Sequence, residues 1–300
     1  MRYRLRLSIR YRFAQPAGGA RQLLRICPAE LPGQQQVQGC EVTVTPRPDE
    51  QRSFTDFFGT HVTEILLPDG GISDLRFDML AMVNRTAQPP SGLDLSPSLA
   101  EMAAALSRVR DLGPASPQHF RFPSPHIPHV PAIEAFVRKV VGPDQQALAV
   151  IAAVGQALHD GLRFDSSATE VDTPIAEAFE GRHGVCQDFS QIMISGLRAV
   201  GVPAAYVTGF LRTLPPPGKP RLQGADAMHA WVRAWAGPQT GWVEYDPTNG
   251  CFVGPDHVVV GYGRDYGDAA PVTGRIWLSG AQTGTHSVDI EEIPAIAAWD

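Results

Sequence analysis

Apolar and polar residues alternate strictly at the start of the chain. Tyr3, Leu5, Leu7, Ile9, Tyr11 and Phe13 are interleaved with Arg2, Arg4, Arg6, Ser8, Arg10 and Arg12. That period of two sets one face of a half-buried strand against a core. The arginine-rich start therefore reads as a strand and not as a targeting peptide, because a secretory signal needs an unbroken apolar stretch behind its positive end. Further short strands are expected over Arg21–Cys27, Gln38–Pro46, His61–Leu67 and Ile72–Val83, separated by turn clusters such as Pro68-Asp69-Gly70-Gly71. Short strands at this spacing predict an N-terminal β-sandwich-like domain over residues 1–90, closed by Pro89-Pro90-Ser91-Gly92.

Beyond residue 91 the period lengthens. Ser98 and Glu101 have the spacing of a capping box, ahead of Leu99, Met102, Leu106 and Val109 at helical intervals. Two more helices are expected over Ala132–Val141 and Asp144–Asp160, after an irregular proline-rich stretch from Pro114 to Pro131. A further helix runs from Cys186 to Val200, with Phe189, Ile192, Met193 and Leu197 on one face and Gly201 placed to end it. Gly196 inside that helix costs about 1 kcal/mol against alanine and points to close packing there. Strands rich in Val, Tyr, Trp and Phe follow over Pro203–Leu211, His229–Trp235 and Trp242–Asp246, then His257–Gly261, Gly274–Leu278 and Thr285–Ile290. Residues 91–300 are thus expected as a second, α+β domain, a helix followed by a mostly antiparallel sheet. No internal repeat is present, and Pro215-Pro216-Pro217 is the one low-complexity tract.

Composition narrows the partners. With 43% hydrophobic and 19% charged residues the 300-residue chain is globular, and its net charge of −6 offers no basic field for a nucleic acid. No apolar run approaches the roughly 18 residues that cross a bilayer, so neither a membrane nor a nucleic acid is an expected partner. A cytoplasmic location follows. Four cysteines without C-x-x-C spacing argue against a zinc ribbon and a disulfide scaffold, and Cys27 and Cys40 read as small buried hydrophobes. His119, His126 and His129 are separated by prolines that prevent helical i, i+4 ligation, and no EF-hand loop occurs. No metal or other cofactor is expected.

Cys186 opens the amphipathic helix directly after Gly184 and Val185. A helix N-terminus favours a thiolate through its dipole and offers free N–H groups as oxyanion donors. A thiol nucleophile also needs a base, and the base a third group that fixes its tautomer. His229 and Asp246 follow in that order on two strands joined by a turn. Each residue alone has a bland reading: a buried cysteine, a core histidine, an aspartate before proline. Asp188, in the first turn of the helix, complements its dipole. Asp226, Gln187 and Trp231 are the candidate substrate-binding residues, although Trp231, like Trp235 and Trp242, also suits a sheet core.

Three linked motifs carry a family resemblance. Gly184-Val185-Cys186-Gln187-Asp188-Phe189, Gly224-Ala225-Asp226-Ala227-Met228-His229-Ala230-Trp231 and Gly241-Trp242-Val243-Glu244-Tyr245-Asp246-Pro247-Thr248-Asn249-Gly250 resemble the bacterial transglutaminase-like superfamily. Val260-Gly261-Tyr262-Gly263-Arg264-Asp265-Tyr266 is similar to its C-terminal signature. Asp56-Phe57-Phe58-Gly59 and Tyr11-Arg12-Phe13-Ala14-Gln15-Pro16 are similar to the β domain that often precedes the catalytic core. The pattern is departed from at Ser190, Gln191, Met228 and Thr60. The resemblance implies a papain-like α+β core with the triad Cys186, His229 and Asp246. It also implies a cysteine protease, amidase or isopeptidase acting on a peptide or protein through a thioester. Transfer of the acyl group to an amine, as in a transglutaminase, is the alternative. An inactive peptide-binding scaffold and an arylamine N-acetyltransferase are the rivals; the latter places its cysteine early, behind helices.

Overall fold

The alternating start of the chain builds one strand of 23 residues, β1 (Arg2–Leu24), where two separate strands were expected. The chain bends without leaving the sheet. Its register against neighbouring strands slips between Arg12 and Ala17 and again between Gly18 and Arg21. Two glycines allow the bend: a Cβ on Gly18 would stand 2.2 Å from the Gly70 backbone nitrogen, and Gly19 has φ of 56°. The computed structural model describes residues 1–90, 92–213 and 226–294. Ser91, the Pro215–Pro217 tract, and Gly224 and Ala225 of the second motif lie outside those described residues.

In chain order, β1 is followed by β2 (Gln35–Thr45), β3 (Glu50–Thr55), β4 (His61–Leu67) and β5 (Ile72–Arg85). The helices α1 (Leu99–Ser107), α2 (Pro131–Val140) and α3 (Ala147–Gly161) come next, then β6 (Arg163–Phe164), α4 (Ile175–Gly181), β7 (His183–Gly184) and α5 (Cys186–Ala199). Then come β8 (Ala204–Leu211), β9 (Ala227–Trp235), α6 (Gly237–Thr240), β10 (Trp242–Asp246), β11 (Cys251–Phe252) and β12 (His257–Gly263). The last elements are α7 (Tyr266–Ala269), β13 (Val272–Trp277) and β14 (Gln282–Glu292).

The first sheet is a curled, sandwich-like antiparallel structure organised on β1. Its first half pairs with β5 and β14, its second half with β4 and β13. The even-numbered arginines of the start lie off the core, while Tyr3, Leu5, Leu7 and Ile9 pack inward on Phe77, Met79, Val288 and Ile290. Three pairings differ from the sequence reading. β13 and β14, read as a continuation of the second domain, return to the first sheet, because β1 has an edge open on each half. β3 was missed: all six of its residues are exposed, so it carries no apolar alternation, and its pairing with β4 alone defines it.

The second sheet has the order β11-β10-β9-β8-β12, antiparallel at each of its four pairings, and α5 packs against β8 and β9. The capping box of α1 forms, with the Ser98 backbone N–H donating to Glu101 Oε2 at 3.0 Å. A Cβ on Gly196 would stand 2.6 Å from Val137 Cγ2, so α2 crosses α5 at the position the glycine marks. Gly201 ends α5 with φ of 87°. Cys27 is buried as expected, whereas Cys40 is exposed, and their sulfurs are 2.7 Å apart. Among the described residues no helix is long and apolar enough to cross a membrane.

Gly209 of β8 lies opposite His229 of β9. A Cβ there would meet the Val258 carbonyl oxygen at 2.3 Å and the Trp231 ring at 2.4 Å. Gly209→Ala is expected to cost about 1–3 kcal/mol and to lower the melting temperature by roughly 2–10 °C. An unchanged melt by circular dichroism would show that the ring has room to move.

Candidate active site

The loop ahead of α5 is held on three sides. β6 and β7 pair in parallel, Arg163 with His183 and Phe164 with Gly184, and the Asp165 N–H donates to the Gly184 carbonyl at 3.0 Å. Asp188 reaches back from the first turn, its Oδ2 accepting the Val185 N–H at 2.8 Å and the Thr169 hydroxyl at 2.6 Å. A Cβ on Gly184 would stand 2.6 Å from that oxygen, so glycine permits the approach. Asp188 therefore does more than complement the dipole: it ties the residue before Cys186 to the 165–174 loop. Both donors go to Oδ2, and Oδ1 is buried without a hydrogen-bond partner among the described residues. Gln187 donates to the Val171 carbonyl at 3.0 Å and holds the same loop. Cys186 itself is half-buried at the head of the helix, and the Ser190 hydroxyl donates to its carbonyl at 2.7 Å.

His229 comes from the start of β9 and Asp246 from the end of β10. His229 Nε2 lies 2.7 Å from Asp246 Oδ2, and both side chains are buried. A carboxylate only accepts, so Nε2 carries the proton and Nδ1 is left for the thiol. Burial works against a charged imidazole here. Hydrogen bonds to Asp246 and to the Cys186 thiol outweigh it, and the His229 pKa is pushed up to about 10. His229 and Asp246 are thus paired from two elements, and the Cys186 thiol at the head of a third is among the groups that raise the His229 pKa. Behind them, the Tyr206 phenol is pushed well up, first by burial and then by the charge of Cys186.

Asp246 is saturated with donors. Oδ1 accepts the backbone N–H groups of Thr248 and Asn249 at 2.9 and 3.2 Å, and Oδ2 also accepts Asn249 Nδ2 at 2.7 Å. A second imidazole completes the set: His257 Nε2 lies 3.0 Å from Oδ2. Although burial raises the Asp246 carboxyl, these partners, led by His229 and His257, hold it far below the usual carboxylate range. Sequence reasoning missed His257, which stands at the head of the apolar run Val258-Val259-Val260 and reads there as the first residue of a core strand. His229, Asp246 and His257 present ligand atoms within 4.8 Å of one another, the one grouping of metal-ligand type among the described residues. Each imidazole is at hydrogen-bonding separation from the carboxylate.

The other candidates have different surroundings. Trp231 is fully buried and its indole N–H donates to Glu244 Oε2 at 2.9 Å, so the ring serves the core. Asp226 is buried too; it accepts the Thr213 N–H at 2.7 Å and the Ile290 N–H at 2.6 Å and ties β14 to the second sheet. Neither offers a free surface to a substrate. His119 Nε2 lies 3.0 Å from the Leu112 carbonyl oxygen and His129 Nε2 2.6 Å from Glu134, while His126 donates its backbone N–H to Asp265.

The pairing sets a stability profile against pH. His229 has its pKa raised by folding, so its contribution is complete below its ordinary value of 6.5 and is lost as pH rises through about 10. Asp246 has its pKa lowered, so its contribution is present above the ordinary 3.8 and is lost as acid protonates the folded carboxylate. The stability margin of wild type over His229→Gln is expected to shrink steadily from pH 6.5 to 10. Urea midpoints measured across that range check this; a margin independent of pH would remove the charged imidazole.

Comparison with known proteins follows the same line. The chain matches the family model of the transglutaminase-like superfamily over residues 134–247 and that of the bacterial transglutaminase-like N-terminal region over residues 3–84. An uncharacterized protein of Mycobacterium tuberculosis is 32% identical over 262 residues, which cover 84% of this chain and 80% of that protein. A protein-glutamine gamma-glutamyltransferase of Pseudomonas aeruginosa is 39% identical over 71 residues, 23% of this chain and 10% of its own. Among solved structures, a candidate cysteine protease of Cytophaga hutchinsonii is similar with a TM-score of 0.70 at 19% identity, covering 100% of this chain and 94% of that chain. That likeness is one of fold.

Proposed function

Because the chain belongs to the transglutaminase-like superfamily, whose members are typically cysteine enzymes, we propose that it is a cysteine-dependent hydrolase of amide bonds in a peptide or protein. The observation that carries the reading is the buried hydrogen bond between His229 and Asp246, and the Cys186 thiol that heads α5 supports it as one of the groups that raise the imidazole's pKa. In this mechanism the Cys186 thiolate attacks the amide carbonyl, and the Cys186 N–H supports the oxyanion. His229 imidazolium protonates the departing amine, leaving a thioester on the enzyme. Neutral His229 then takes a proton from water, the hydroxide adds to the thioester, and collapse returns the thiolate and a free acid. Asp246 holds the imidazole in the required tautomer and stabilises its charge. Gln187, beside the nucleophile and fixed to Val171, is the remaining candidate for contact with substrate. Such a nucleophile must stay a thiol, which suits a reducing compartment and keeps the cytoplasm as the proposed site of action.

Transfer to an amine is the second reading, favoured by the short match to a protein-glutamine gamma-glutamyltransferase. The two share every step to the thioester. Mass spectrometry of peptide libraries incubated with and without a primary amine separates them. Cleaved or deamidated products in both samples are expected; products that form only with the amine would overturn the hydrolase.

A further inference from the structure

His257 lies on β12, yet it reaches the same carboxylate as His229. In the sheet order, β12 is separated from β10 by β8 and β9. The sheet is curled enough to bring His257 to Asp246 across that gap, with the Trp231 ring between the strands packing edge-on against His257 at 5.3 Å. Gly209 lacks the side chain that would block this arrangement. Three facts mark His257 as more than a core residue. Its Nε2 points at the very oxygen that receives His229. Its Nδ1 is buried with no hydrogen-bond partner among the described residues, a costly state for a residue whose only task is packing. Its carbonyl accepts the Nε–H of Arg85, itself fully buried on β5 of the first sheet, at 2.8 Å.

We propose that His257 is a positioning residue: its Nε2–H, held from behind by Arg85 of the N-terminal domain, fixes the Asp246 carboxylate and through it the orientation and tautomer of His229. The inference rests on the proposed roles of His229 and Asp246. Asp246 Oδ2 has a fixed set of donors, His229, His257 and Asn249, and cannot swing toward one without leaving the others. The His229 ring is thereby kept with Nε2–H inward and Nδ1 toward the sulfur. Removing His257 takes one of the three donors from Oδ2, so that the carboxylate holds His229 less firmly and the second tautomer gains population. The charged and titratable groups that face this centre are Cys186 from α5, His229 from β9, Asp246 from β10, Cys251 from β11 and Arg85 from β5.

The test compares wild type with His257→Ala and His257→Gln. The glutamine keeps an N–H donor, and both variants are first checked for wild-type circular dichroism. The rate of Cys186 alkylation by iodoacetamide is followed against pH by peptide mass spectrometry, and the His229 ring nitrogens are followed by NMR. His257→Ala is expected to label Cys186 about 10- to 100-fold more slowly and to show a mixed His229 tautomer. His257→Gln is expected to restore most of the rate and the Nε2–H form. An alanine variant with the wild-type rate, profile and tautomer would overturn the proposal. So would a folded glutamine variant no better than alanine. Neither readout needs a substrate: if no peptide is ever cleaved, the hydrolase reading fails while the placement of His257 stands or falls by these two measurements.

Discussion

Cys186→Ala is expected to abolish amide turnover, a loss of about 10⁴-fold or more, with the fold intact. The side chain is half-buried at the head of α5 and makes no contact that holds the loop; Asp188, Thr169 and Gln187 do that instead. Loss of the sulfur therefore removes the nucleophile with a small effect on the melting temperature. Cys186→Ser keeps a hydroxyl in place and is expected to be nearly as inactive, since an alcohol is far harder to ionise beside the same imidazole. The check is kcat on the best peptide found by library screening, together with a thermal melt. Residual activity within tenfold of wild type would move the chemistry elsewhere.

Asp246→Asn is expected to be as damaging and to show in stability as well. The carboxylate accepts five donors on two oxygens. An amide offers one acceptor oxygen and one NH₂ group. With its oxygen toward the imidazoles, the NH₂ opposes the backbone N–H groups of Thr248 and Asn249. Turned the other way, it forces both histidines to accept, and His229 would then present a proton to the thiol where it should present a lone pair. Turnover is expected to fall by about 10⁴-fold, the order found when a triad carboxylate becomes an amide. The buried network loses a charge that its neighbours require, at a cost of about 3–5 kcal/mol. A kcat measurement and a urea titration read the two effects, and a variant with wild-type stability and tenfold-reduced rate would leave Asp246 without its assigned task.

What could be read in the sequence and what could not differ by the range of the interactions involved. The alternation of β1 and the apolar stripe of α5 are local signals, and the elements form where those signals place them. Cys186, His229 and Asp246 stood out as candidates because each begins or ends a patterned element, and the family resemblance joined them. His257 also begins one, but nothing near it in sequence hints at a carboxylate. Its partner is supplied by the curl of the sheet. The tie that Asp226 makes was hidden for the same reason, since one of its donors, the Ile290 N–H, belongs to the far end of the chain. β3 is exposed throughout, Phe54 included, and exists by pairing alone.

The closure of β1 by β14 has a consequence for how the protein is made. Tyr3 faces Glu292, and the Ile293 N–H donates to the Arg2 carbonyl. On the ribosome, β1 emerges before all of its partners, and the last of these, β13 and β14, emerge only after the whole thiol-bearing region has been translated. The first sheet therefore waits with an open edge while the second one assembles, and folding is governed by its most distant pairing. A nascent chain released early would carry Cys186, His229 and Asp246 yet leave the arginine-rich strand unpaired on one side, an intermediate that holdase chaperones are suited to shield.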